Sequence, residues 1–407
     1  MQRSPLGTLE DFIRREDAVG ARNYAPLDVV IERGEGAWVY DVDGRRYLDC
    51  ISAYSALNHG HRHPRVMRAL QEQAERLTLT SRAVRNDRLG PFLERLAAVA
   101  RQEAVLPMNT GAEAVETAIK LARRWGYRRK QIAHDCAEIV VFDGCFHGRT
   151  TTIVGFSTTE SCRRDFGPFT GGFRSVPFGQ IDPLRDAIRD QTCAVLIEPI
   201  QGEGGINVPP PGYLRAVEAL CRERGVLLIA DEIQTGLGRT GALLACDHES
   251  VKPDILVLGK ALGGGVYPVS AVLASWEIMG LFAPGDHGST FGGNPLASAV
   301  ALEALNVLVE EGLADRARDL GAELLARLNA LHAPLVRDVR GRGLLIGIEV
   351  TAPAHLVCEL LLREGILAKD THDRVIRIAP PLVIDHEHVI LIVDALDRVL
   401  RSLERSL

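Results

Sequence analysis

Two ionisable residues follow two short apolar segments near the middle of this sequence. Asp231 follows the apolar residues 226–230, and Lys260 follows residues 255–258 after a single glycine. Short apolar runs bounded by glycine or charged residues are typical of strands that are buried on both faces of a parallel sheet. Because open α/β sheets bind ligands at the carboxyl ends of their strands, we expect Asp231 and Lys260 to line a ligand site.

A buried lysine and a buried carboxylate suit the chemistry of pyridoxal phosphate (PLP). Partial burial lowers the pKa of a lysine toward the range in which the amine is nucleophilic and forms a Schiff base with an aldehyde. A fixed carboxylate can hold a protonated pyridine nitrogen, which keeps the ring an electron sink. Lys260 and Asp231 therefore predict a PLP site. From these two residues alone, a structural ion pair between strand ends remains an alternative.

A phosphate seat is predicted where Thr110 is followed by Gly111 and, three residues after Thr110, by Glu113. This spacing is a capping box, and the apolar periodicity beyond it predicts a long helix. The free N–H groups and the dipole at a helix start favour an anion such as phosphate. A plain helix start that binds nothing is the alternative.

The composition argues against several classes of partner. The 407 residues are 46% hydrophobic and 25% charged, and the net charge of −6 offers no attraction for nucleic acid or for an anionic membrane. No apolar run approaches the ~18 residues of a membrane span. The eight cysteines form no C-x-x-C pair, and the acidic N-terminal residues lack a hydrophobic signal core. We therefore expect a cytoplasmic protein.

Strand and helix patterns alternate along the middle of the chain, which predicts an α/β fold with a mostly parallel sheet between helices. The predicted strands of this sheet are residues 139–142, 195–197, 226–230 and 255–258. The N-terminal segment has the pattern of a small β-meander, and the C-terminal segment has that of an α+β unit. We predict an N-terminal segment of a small domain at 1–55, a large PLP-binding domain at 56–300 and a C-terminal small domain at 301–407.

Two other patterns do not support the functions that they first suggest. The glycines of residues 236–241 match G-x-G-x-x-G, but they do not directly follow a strand or open a clear helix, as dinucleotide binding requires. His59, His61 and His63 have no accompanying cluster of carboxylates or cysteines, so we predict a polar loop and no metal site.

Together the motifs resemble those of the fold-type I, class III aminotransferases, from about residue 23 to about residue 381. The matching segments are 23–27, 52–56, 77–82, 107–111, 198–203, 231–236, 258–262, 287–290 and 377–381. Within this family the chain most resembles members that act on the distal amine of ornithine. The resemblance implies a large domain with a mostly parallel, seven-stranded sheet between helices, and a small α+β domain built from both chain ends.

The resemblance also assigns cofactor contacts. It implies that Lys260 carries PLP and then moves a proton to and from the substrate carbon, and that Asp231 holds the pyridine nitrogen. Gln234 is expected to contact the ring hydroxyl, and Phe146 to stack on the ring.

The phosphate contacts implied by the resemblance come from two subunits. Gly111 and Ala112 are expected to donate their backbone N–H groups to the phosphate, and Thr290 is expected to reach the phosphate of the second subunit. Such shared sites imply a homodimer or a larger homo-oligomer.

On the substrate side, the resemblance implies two binding modes. Arg149, together with Tyr24 and Tyr54, is expected to hold the α-carboxylate of ornithine away from PLP. Arg377 is suited to a bidentate bond with the α-carboxylate of the acceptor, 2-oxoglutarate. Glu203 is expected to neutralise Arg377 while ornithine reacts.

One position favours a different substrate. His147 follows Phe146 where the animal members that act on ornithine have tryptophan, and Phe-His-Gly-Arg-Thr is typical of members that act on acetylornithine. Acetylornithine or another ω-amino acid is therefore an alternative substrate. A PLP-dependent aminomutase and a non-catalytic PLP-binding protein are alternatives from other functional classes.

Overall fold

Three sheets and their covering helices form this protein in a computed structural model that describes residues 7–331 and 333–405. The strands are β1 Ile31–Glu35, β2 Trp38–Asp41, β3 Arg46–Asp49, β4 Ala104–Met108, β5 Glu138–Phe142, β6 Phe173–Val176, β7 Thr192–Ile197, β8 Leu227–Asp231, β9 Ile255–Leu258, β10 Ser270–Ala274, β11 Val336–Arg342, β12 Leu345–Val350, β13 Ile366–Leu367, β14 Lys369–Thr371 and β15 Val375–Ile378.

Helices precede, separate and follow these strands. The α-helices are α1 Leu9–Val19, α2 Ser52–Ser55, α3 Pro64–Ala74, α4 Leu89–Ala100, α5 Gly111–Arg128, α6 Thr151–Val154, α7 Glu160–Arg163, α8 Ile181–Ala187, α9 Tyr213–Arg224, α10 Trp276–Met279, α11 Pro295–Glu310, α12 Leu313–Asn329, α13 Ala354–Arg363 and α14 His386–Glu404. Two 3₁₀ helices cover Ala245–Glu249 and Lys260–Gly263. No helix in the described ranges combines the length and the apolar character that a membrane span requires.

The central sheet has seven strands in the order β4-β10-β9-β8-β7-β5-β6. Strands β6, β5, β7, β8 and β9 run parallel to one another, and β10 is antiparallel to both β9 and β4. All residues of β7, β8, β9 and β10 are buried, as expected for strands covered by helices on both faces. The prediction of a mostly parallel sheet between helices is therefore confirmed.

Both chain ends contribute to two smaller sheets. One has the order β1-β2-β3-β13, and the other has the order β11-β12-β15-β14. Strand β13 comes from the C-terminal segment and pairs with the N-terminal β3, with Ile366 opposite Leu48. This pairing agrees with a small α+β domain built from both ends, while the exact division at 1–55, 56–300 and 301–407 stays a prediction.

Local patterns predicted most of the elements that carry the site. The predicted strands at 139–142, 195–197, 226–230 and 255–258 are β5, β7, β8 and β9, with small differences at their ends. No strand was predicted for β4, β6 and β10. β4 contains Pro107 and β6 is a partly exposed edge strand, and both features weaken a strand pattern.

Helix α12 packs so closely on the β11–β12 turn that Gly321 is required. A methyl group at Gly321 would overlap the backbone of Gly343, which itself has φ = 55°. Gly90 in α4, by contrast, has no atom within 4 Å of the position of a methyl group.

We therefore expect opposite effects from the same substitution at these two glycines. Gly321→Ala should destabilise the protein by about 1–3 kcal/mol through overpacking, and Gly90→Ala should stabilise it by about 0.5 kcal/mol because alanine favours helix. Thermal unfolding of both variants and the wild type measures these changes in the free energy of unfolding. A Gly321→Ala variant as stable as Gly90→Ala would contradict the close packing.

Candidate active site

Asp231 and Lys260 lie at the carboxyl ends of neighbouring parallel strands, as predicted. Asp231 is the last residue of β8 and is opposite Val257 of β9, and Lys260 begins the 3₁₀ helix that follows β9. Lys260 has a left-handed backbone with φ = 44°. Strained backbone of this kind at a non-glycine residue is concentrated at functional sites, where the surrounding structure holds it in place.

The surroundings of Lys260 make its amine reactive near neutral pH. Burial lowers the pKa of Lys260 to about 8, with Arg377 acting in the same direction and the carboxylates of Glu203 and Asp231 opposing it. At mildly alkaline pH, the Lys260 amine is therefore neutral and nucleophilic in a large fraction of the protein molecules.

Lys260 borders two cavities. The first, which we call the cofactor cavity, has a volume of about 560 Å³. Its lining residues include Gly111, Ala112, Phe146, His147, Glu198, Asp231, Ile233, Gln234 and Lys260. The second has a volume of about 840 Å³ and reaches Ala53, Leu57 and Tyr267.

The start of helix α5 forms one wall of the cofactor cavity. The predicted capping box is confirmed: Glu113 N donates to Thr110 Oγ1 at 3.2 Å, and Thr110 N donates to Glu113 Oε2 at 2.7 Å. Among the described hydrogen bonds, none uses the N–H groups of Gly111 or Ala112 as donors. These two groups are thus free for an anion, and the positive end of the helix dipole favours one.

His147 lies next to Asp231, and both residues line the cofactor cavity. Its Nδ1 is 2.7 Å from Asp231 Oδ2, and both residues are buried. Burial alone would lower the pKa of His147, but Cys145 and the bond to Asp231 outweigh it and raise this pKa well above its usual value. A protonated His147 therefore donates a hydrogen bond to Asp231 and holds this carboxylate in place.

The residues present fit PLP in three separate ways. Lys260 offers an amine for the aldehyde, and the charged Asp231 offers an acceptor for a protonated pyridine nitrogen. The free N–H groups of Gly111 and Ala112 suit the phosphate. All four residues line the same cavity, and Phe146 lines it as well.

Next to this cavity lies an ion pair between the buried Arg377 and the partly buried Glu203. Arg377 is on β15 and is 1% exposed, and its NH1 donates to Glu203 Oε1 at 2.5 Å. Gln234 Nε2 donates to the same oxygen at 3.2 Å and to Tyr54 O at 3.3 Å. The Arg377 guanidinium lies over the Tyr54 ring, 4.8 Å from its centre. The structure thus brings together four of the predicted site residues from distant parts of the chain.

Comparison with known proteins agrees with this geometry. Residues 19–400 match the model of the class-III aminotransferases. The chain belongs to the class III aminotransferase family. It is 55% identical over 389 residues to an ornithine aminotransferase of Bordetella pertussis (strain Tohama I), covering 95% of this chain and 94% of the relative.

Two solved structures also resemble this aminotransferase along its full length. An ornithine aminotransferase from Toxoplasma gondii, crystallised with oxidised glutathione, has a TM-score of 0.97 and 48% identity, covering 99% of this chain and 96% of that one. Its active site holds PLP at partial occupancy. An acetylornithine aminotransferase from Elizabethkingia anophelis has a TM-score of 0.90 and 49% identity, covering 97% of this chain and 99% of that one.

These matches confirm the resemblance to the family, and the protein is a PLP-dependent aminotransferase. The individual residue roles in its site are not tested by the matches and stay predictions.

Three predicted site residues lie away from the cofactor cavity in the single chain. Tyr24 is 73% exposed, Thr290 is exposed in the loop before α11, and Arg149 is exposed with its guanidinium 5.8 Å from the centre of the Phe146 ring. The expected roles of Tyr24 at the substrate end and of Thr290 at the phosphate of a second subunit stay predictions.

Glu198 is a member of the site to which no role was assigned from the sequence. It follows β7 directly and accepts hydrogen bonds from Phe146 N at 2.9 Å and Gly202 N at 3.2 Å. Burial raises the pKa of Glu198 to about 7, with Asp231 adding to the effect and His147 opposing it. Its position after a buried parallel strand is the same signal that identified Asp231, and it could have identified Glu198.

The three histidines that follow α2 have separate partners. His59 Nε2 bonds Ala304 O at 2.9 Å, and His61 Nε2 bonds Asp49 Oδ2 at 2.8 Å. The segment is a loop between α2 and α3, as predicted, but His59 is buried in it and only 2% exposed. Burial lowers the pKa of His59 to about 4, because the charged form loses its hydration.

The low pKa of Lys260 gives a prediction for the cofactor-free protein. Only the neutral amine reacts with acetic anhydride, so the acetylation rate of Lys260 should rise with pH and be half-maximal near pH 8. For a lysine in a peptide, the acetylation rate should be half-maximal at about pH 10.4. Competitive labelling followed by peptide mass spectrometry measures both rates, with Nα-acetyl-lysine as the reference and Lys260→Ala as the assignment control. If Lys260 and Nα-acetyl-lysine had the same pH of half-maximal acetylation, the lowered pKa of Lys260 would be refuted.

Proposed function

We propose that this aminotransferase transfers the δ-amino group of ornithine to 2-oxoglutarate. The products are glutamate 5-semialdehyde, which cyclises to pyrroline-5-carboxylate, and glutamate. The observation that carries the proposal is the Arg377–Glu203 ion pair beside the Lys260 cavity, in a chain that is 55% identical to an ornithine aminotransferase. This pair supports the acceptance of two substrates whose carboxylates must lie in different places.

PLP, when bound, supplies an aldehyde that links to amines and a ring that withdraws electrons from the substrate carbon. We assign Lys260 to hold the cofactor and then to accept and return the proton of that carbon, because its amine is neutral near pH 8. Asp231 would hold the pyridine nitrogen, and His147 orients Asp231 through their hydrogen bond. Phe146 would pack on the ring, and Gln234 would contact the ring hydroxyl, since both residues line the cofactor cavity.

Ornithine sets a problem of orientation. Its α-carboxylate must lie far from Lys260 when the δ-amine reacts, so an unpaired arginine beside the cofactor would attract the wrong end of the molecule. Glu203 cancels the charge of Arg377 with an ion pair of 2.5 Å. The α-carboxylate of ornithine is then free to bind at Arg149, with Tyr54 and Tyr24 beside it.

The acceptor sets the opposite requirement. The α-carboxylate of 2-oxoglutarate must lie next to the cofactor, and a free Arg377 binds it in a bidentate manner. Arg377 is fixed in strand β15 with a side-chain exposure of 1%, while Glu203 has an exposure of 28% and is followed by Gly204 and Gly205. We therefore assign the movement to Glu203, which leaves the pair when the acceptor binds.

The charge of Glu203 is stable in the paired state. Burial opposes ionisation of Glu203, but the nearby Arg377 and Lys260 outweigh it and lower the pKa of this carboxyl group below its usual value. The ion pair therefore persists throughout the neutral pH range and breaks only when another carboxylate competes for Arg377.

Acetylornithine remains the second candidate substrate, and one observation favours it: the 49% identity to the acetylornithine aminotransferase from Elizabethkingia anophelis. His147 does not decide between the two substrates, because it bonds Asp231 and also lines a cavity that reaches Glu203. Acylation removes the charge of the α-nitrogen and adds bulk, and a tyrosine-lined end disfavours it.

The other functional classes are less well supported. An aminomutase needs no external acceptor, so the Arg377–Glu203 arrangement for two substrates speaks against it. A non-catalytic PLP-binding protein would not require both Lys260 and Asp231 in the cofactor cavity.

We further propose a cytoplasmic homodimer, or a larger homo-oligomer, in which Thr290 binds the phosphate of the neighbouring subunit. Thr290 is exposed in the single chain, as a residue that acts in another subunit must be. Exposed apolar side chains at Leu77, Leu79, Val84 and Phe291 support a buried contact near the same loop.

The substrate proposal is tested by supplying PLP-loaded enzyme with ornithine or acetylornithine, each with and without 2-oxoglutarate. We expect acceptor-dependent pyrroline-5-carboxylate from ornithine and little glutamate from acetylornithine. Trapping of pyrroline-5-carboxylate and quantification of glutamate measure the two products.

The controls separate the alternatives. If glutamate forms chiefly with acetylornithine, then acetylornithine is the substrate and the proposal of ornithine is wrong. If product forms without 2-oxoglutarate, the enzyme is an aminomutase. Tyr54→Val and Tyr24→Ile should each reduce the preference for ornithine. Unchanged preference in both variants would exclude these tyrosines as the source of selectivity.

Removal of the charge of Glu203 should affect the two half-reactions differently. In Glu203→Gln, the unpaired Arg377 should attract the α-carboxylate of ornithine and slow the ornithine half-reaction by about tenfold or more, the scale expected when one partner of a buried charge pair is lost. The half-reaction with 2-oxoglutarate should not slow. Stopped-flow absorbance of the cofactor follows each half-reaction.

Glu323→Gln is the matched control, because it removes the same charge from a surface residue that pairs with Arg327 and His386. It should leave both half-reactions unchanged. Equal slowing of both half-reactions in Glu203→Gln would contradict the role of Glu203 as a switch.

A further inference from the structure

A buried arginine lies inside the glycine-rich segment 236–241, whose pattern resembles a dinucleotide-binding motif. No helix follows these glycines directly; instead, Gly238 and Gly241 have φ values of 89° and 87° and let the chain turn tightly around Arg239. Arg239 is 0% exposed and is one of the largest fully buried side chains in the described ranges. A charged side chain in such a position requires hydrogen-bond partners, since its hydration is lost.

The partners of Arg239 come from three other segments. NH1 donates to Leu344 O at 2.9 Å and to Pro380 O at 2.6 Å, and NH2 donates to Asn58 Oδ1 at 2.6 Å. All three acceptors are neutral. The planar fork of a guanidinium can serve them together, whereas the single ammonium of a lysine cannot reproduce this arrangement.

The same segments also bond back to one another. Asn58 is 0% exposed, and its Nδ2 donates to Leu237 O at 2.8 Å. Leu382 N donates to Asn58 O at 2.9 Å, and Leu344 N donates to Arg239 O at 3.1 Å. We call Arg239, Asn58 and these backbone partners the Arg239 cluster. It joins the large-sheet region to segments of both smaller sheets.

The Arg239 cluster is close in sequence to the groups that recognise carboxylates. Tyr54 precedes Asn58 by four residues, and Arg377 precedes Pro380 by three. Between Tyr54 and Asn58 the chain leaves a left-handed turn, in which residues 52–55 all have positive φ. This strained turn must be held by its surroundings. A displacement of Pro380, or of the Arg239 side chain that Asn58 holds, therefore moves the Arg377 guanidinium.

The charges in this region add to the constraint. Burial lowers the pKa of Arg239 to about 9, with the repulsion from Arg377 in the same direction and the attraction of Asp49 opposing it. Two like-charged guanidinium groups thus share one buried region. Besides its ion pair with Glu203, Arg377 is held by the pairing of β15 with β12 and β14 and by the bond from Arg239 to Pro380 just beyond this strand.

We propose that Arg239 is a positioning residue that sets Arg377 for the dicarboxylate acceptor. The inference rests on the proposed function, because it concerns the α-carboxylate of 2-oxoglutarate. Of the two substrates, only 2-oxoglutarate binds the free guanidinium group of Arg377 with its α-carboxylate. Ornithine reacts while Glu203 neutralises Arg377, so its binding depends less on where that guanidinium lies.

The test compares Arg239→Gln, Arg239→Lys and Asn58→Ala with the wild type as holoenzymes. The probes are 2-oxoglutarate in steady-state assays and glutarate, a dicarboxylate without a reactive carbonyl group, in equilibrium binding by calorimetry. Arg239→Gln and Asn58→Ala should raise the KM for 2-oxoglutarate and the Kd for glutarate by at least about tenfold, the scale expected for a misplaced binding group. The KM for ornithine should change much less, and Arg239→Lys should lie between wild type and Arg239→Gln.

Leu324→Ala controls for lost stability. Leu324 is fully buried in α12 and belongs to the hydrophobic core, so its truncation should lower the unfolding temperature without changing the preference between the two substrates. Arg239 variants that raise the KM of ornithine and of 2-oxoglutarate equally, as a merely destabilised enzyme would, overturn the proposal. Loss of soluble protein for both Arg239→Gln and Asn58→Ala also overturns it, since the cluster would then serve folding.

The proposed function and this inference can fail separately. If the wild-type enzyme does not convert ornithine, the proposed function is wrong. Glutarate binding to the wild type and to Arg239→Gln still decides whether Arg239 positions a carboxylate site. Unchanged glutarate affinity in an otherwise active Arg239→Gln enzyme refutes the inference alone.

Discussion

The parallel pairing of β8 with β9 is the constraint on which the rest of the site depends. Parallel strands end at the same edge of a sheet, and neighbouring strands lie about 4.8 Å apart. Asp231 and Lys260 therefore face one cavity from adjacent strand ends. The residues that follow the other parallel strands lie at the same edge of the sheet. Phe146 and His147 follow β5, and Glu198 follows β7.

A set of mutually dependent charges fills this edge. Lys260 has a low pKa because it is buried, and the carboxylates of Glu203 and Asp231 keep it from falling further. Asp231 is held by His147, and Glu203 is held by Arg377. Since each of these groups has a partner of opposite charge, the loss of one of them leaves the other without its hydrogen bond. The pairing explains how so many ionisable groups can share one region.

Much of the architecture could be predicted from local patterns, because apolar runs of four to six residues identify buried parallel strands directly. This was so for β5, β7, β8 and β9. Strand β10 was not predicted. Its small residues 270–274 become a strand only through antiparallel pairing with both β9 and β4, and such pairing depends on contacts that are distant in the chain.

The sequence by itself determined the cofactor side of this protein. The strand ends at Asp231 and Lys260 and the capping box at Thr110 are local features, encoded by residue types within a few positions of one another. Only the tertiary structure decided that His147 bonds Asp231, that Glu203 pairs with Arg377, and that Arg239 joins Asn58 to Pro380. These contacts connect residues far apart in the chain, and their geometry follows from how the sheets and loops pack, for which no short pattern of residues provides a signal.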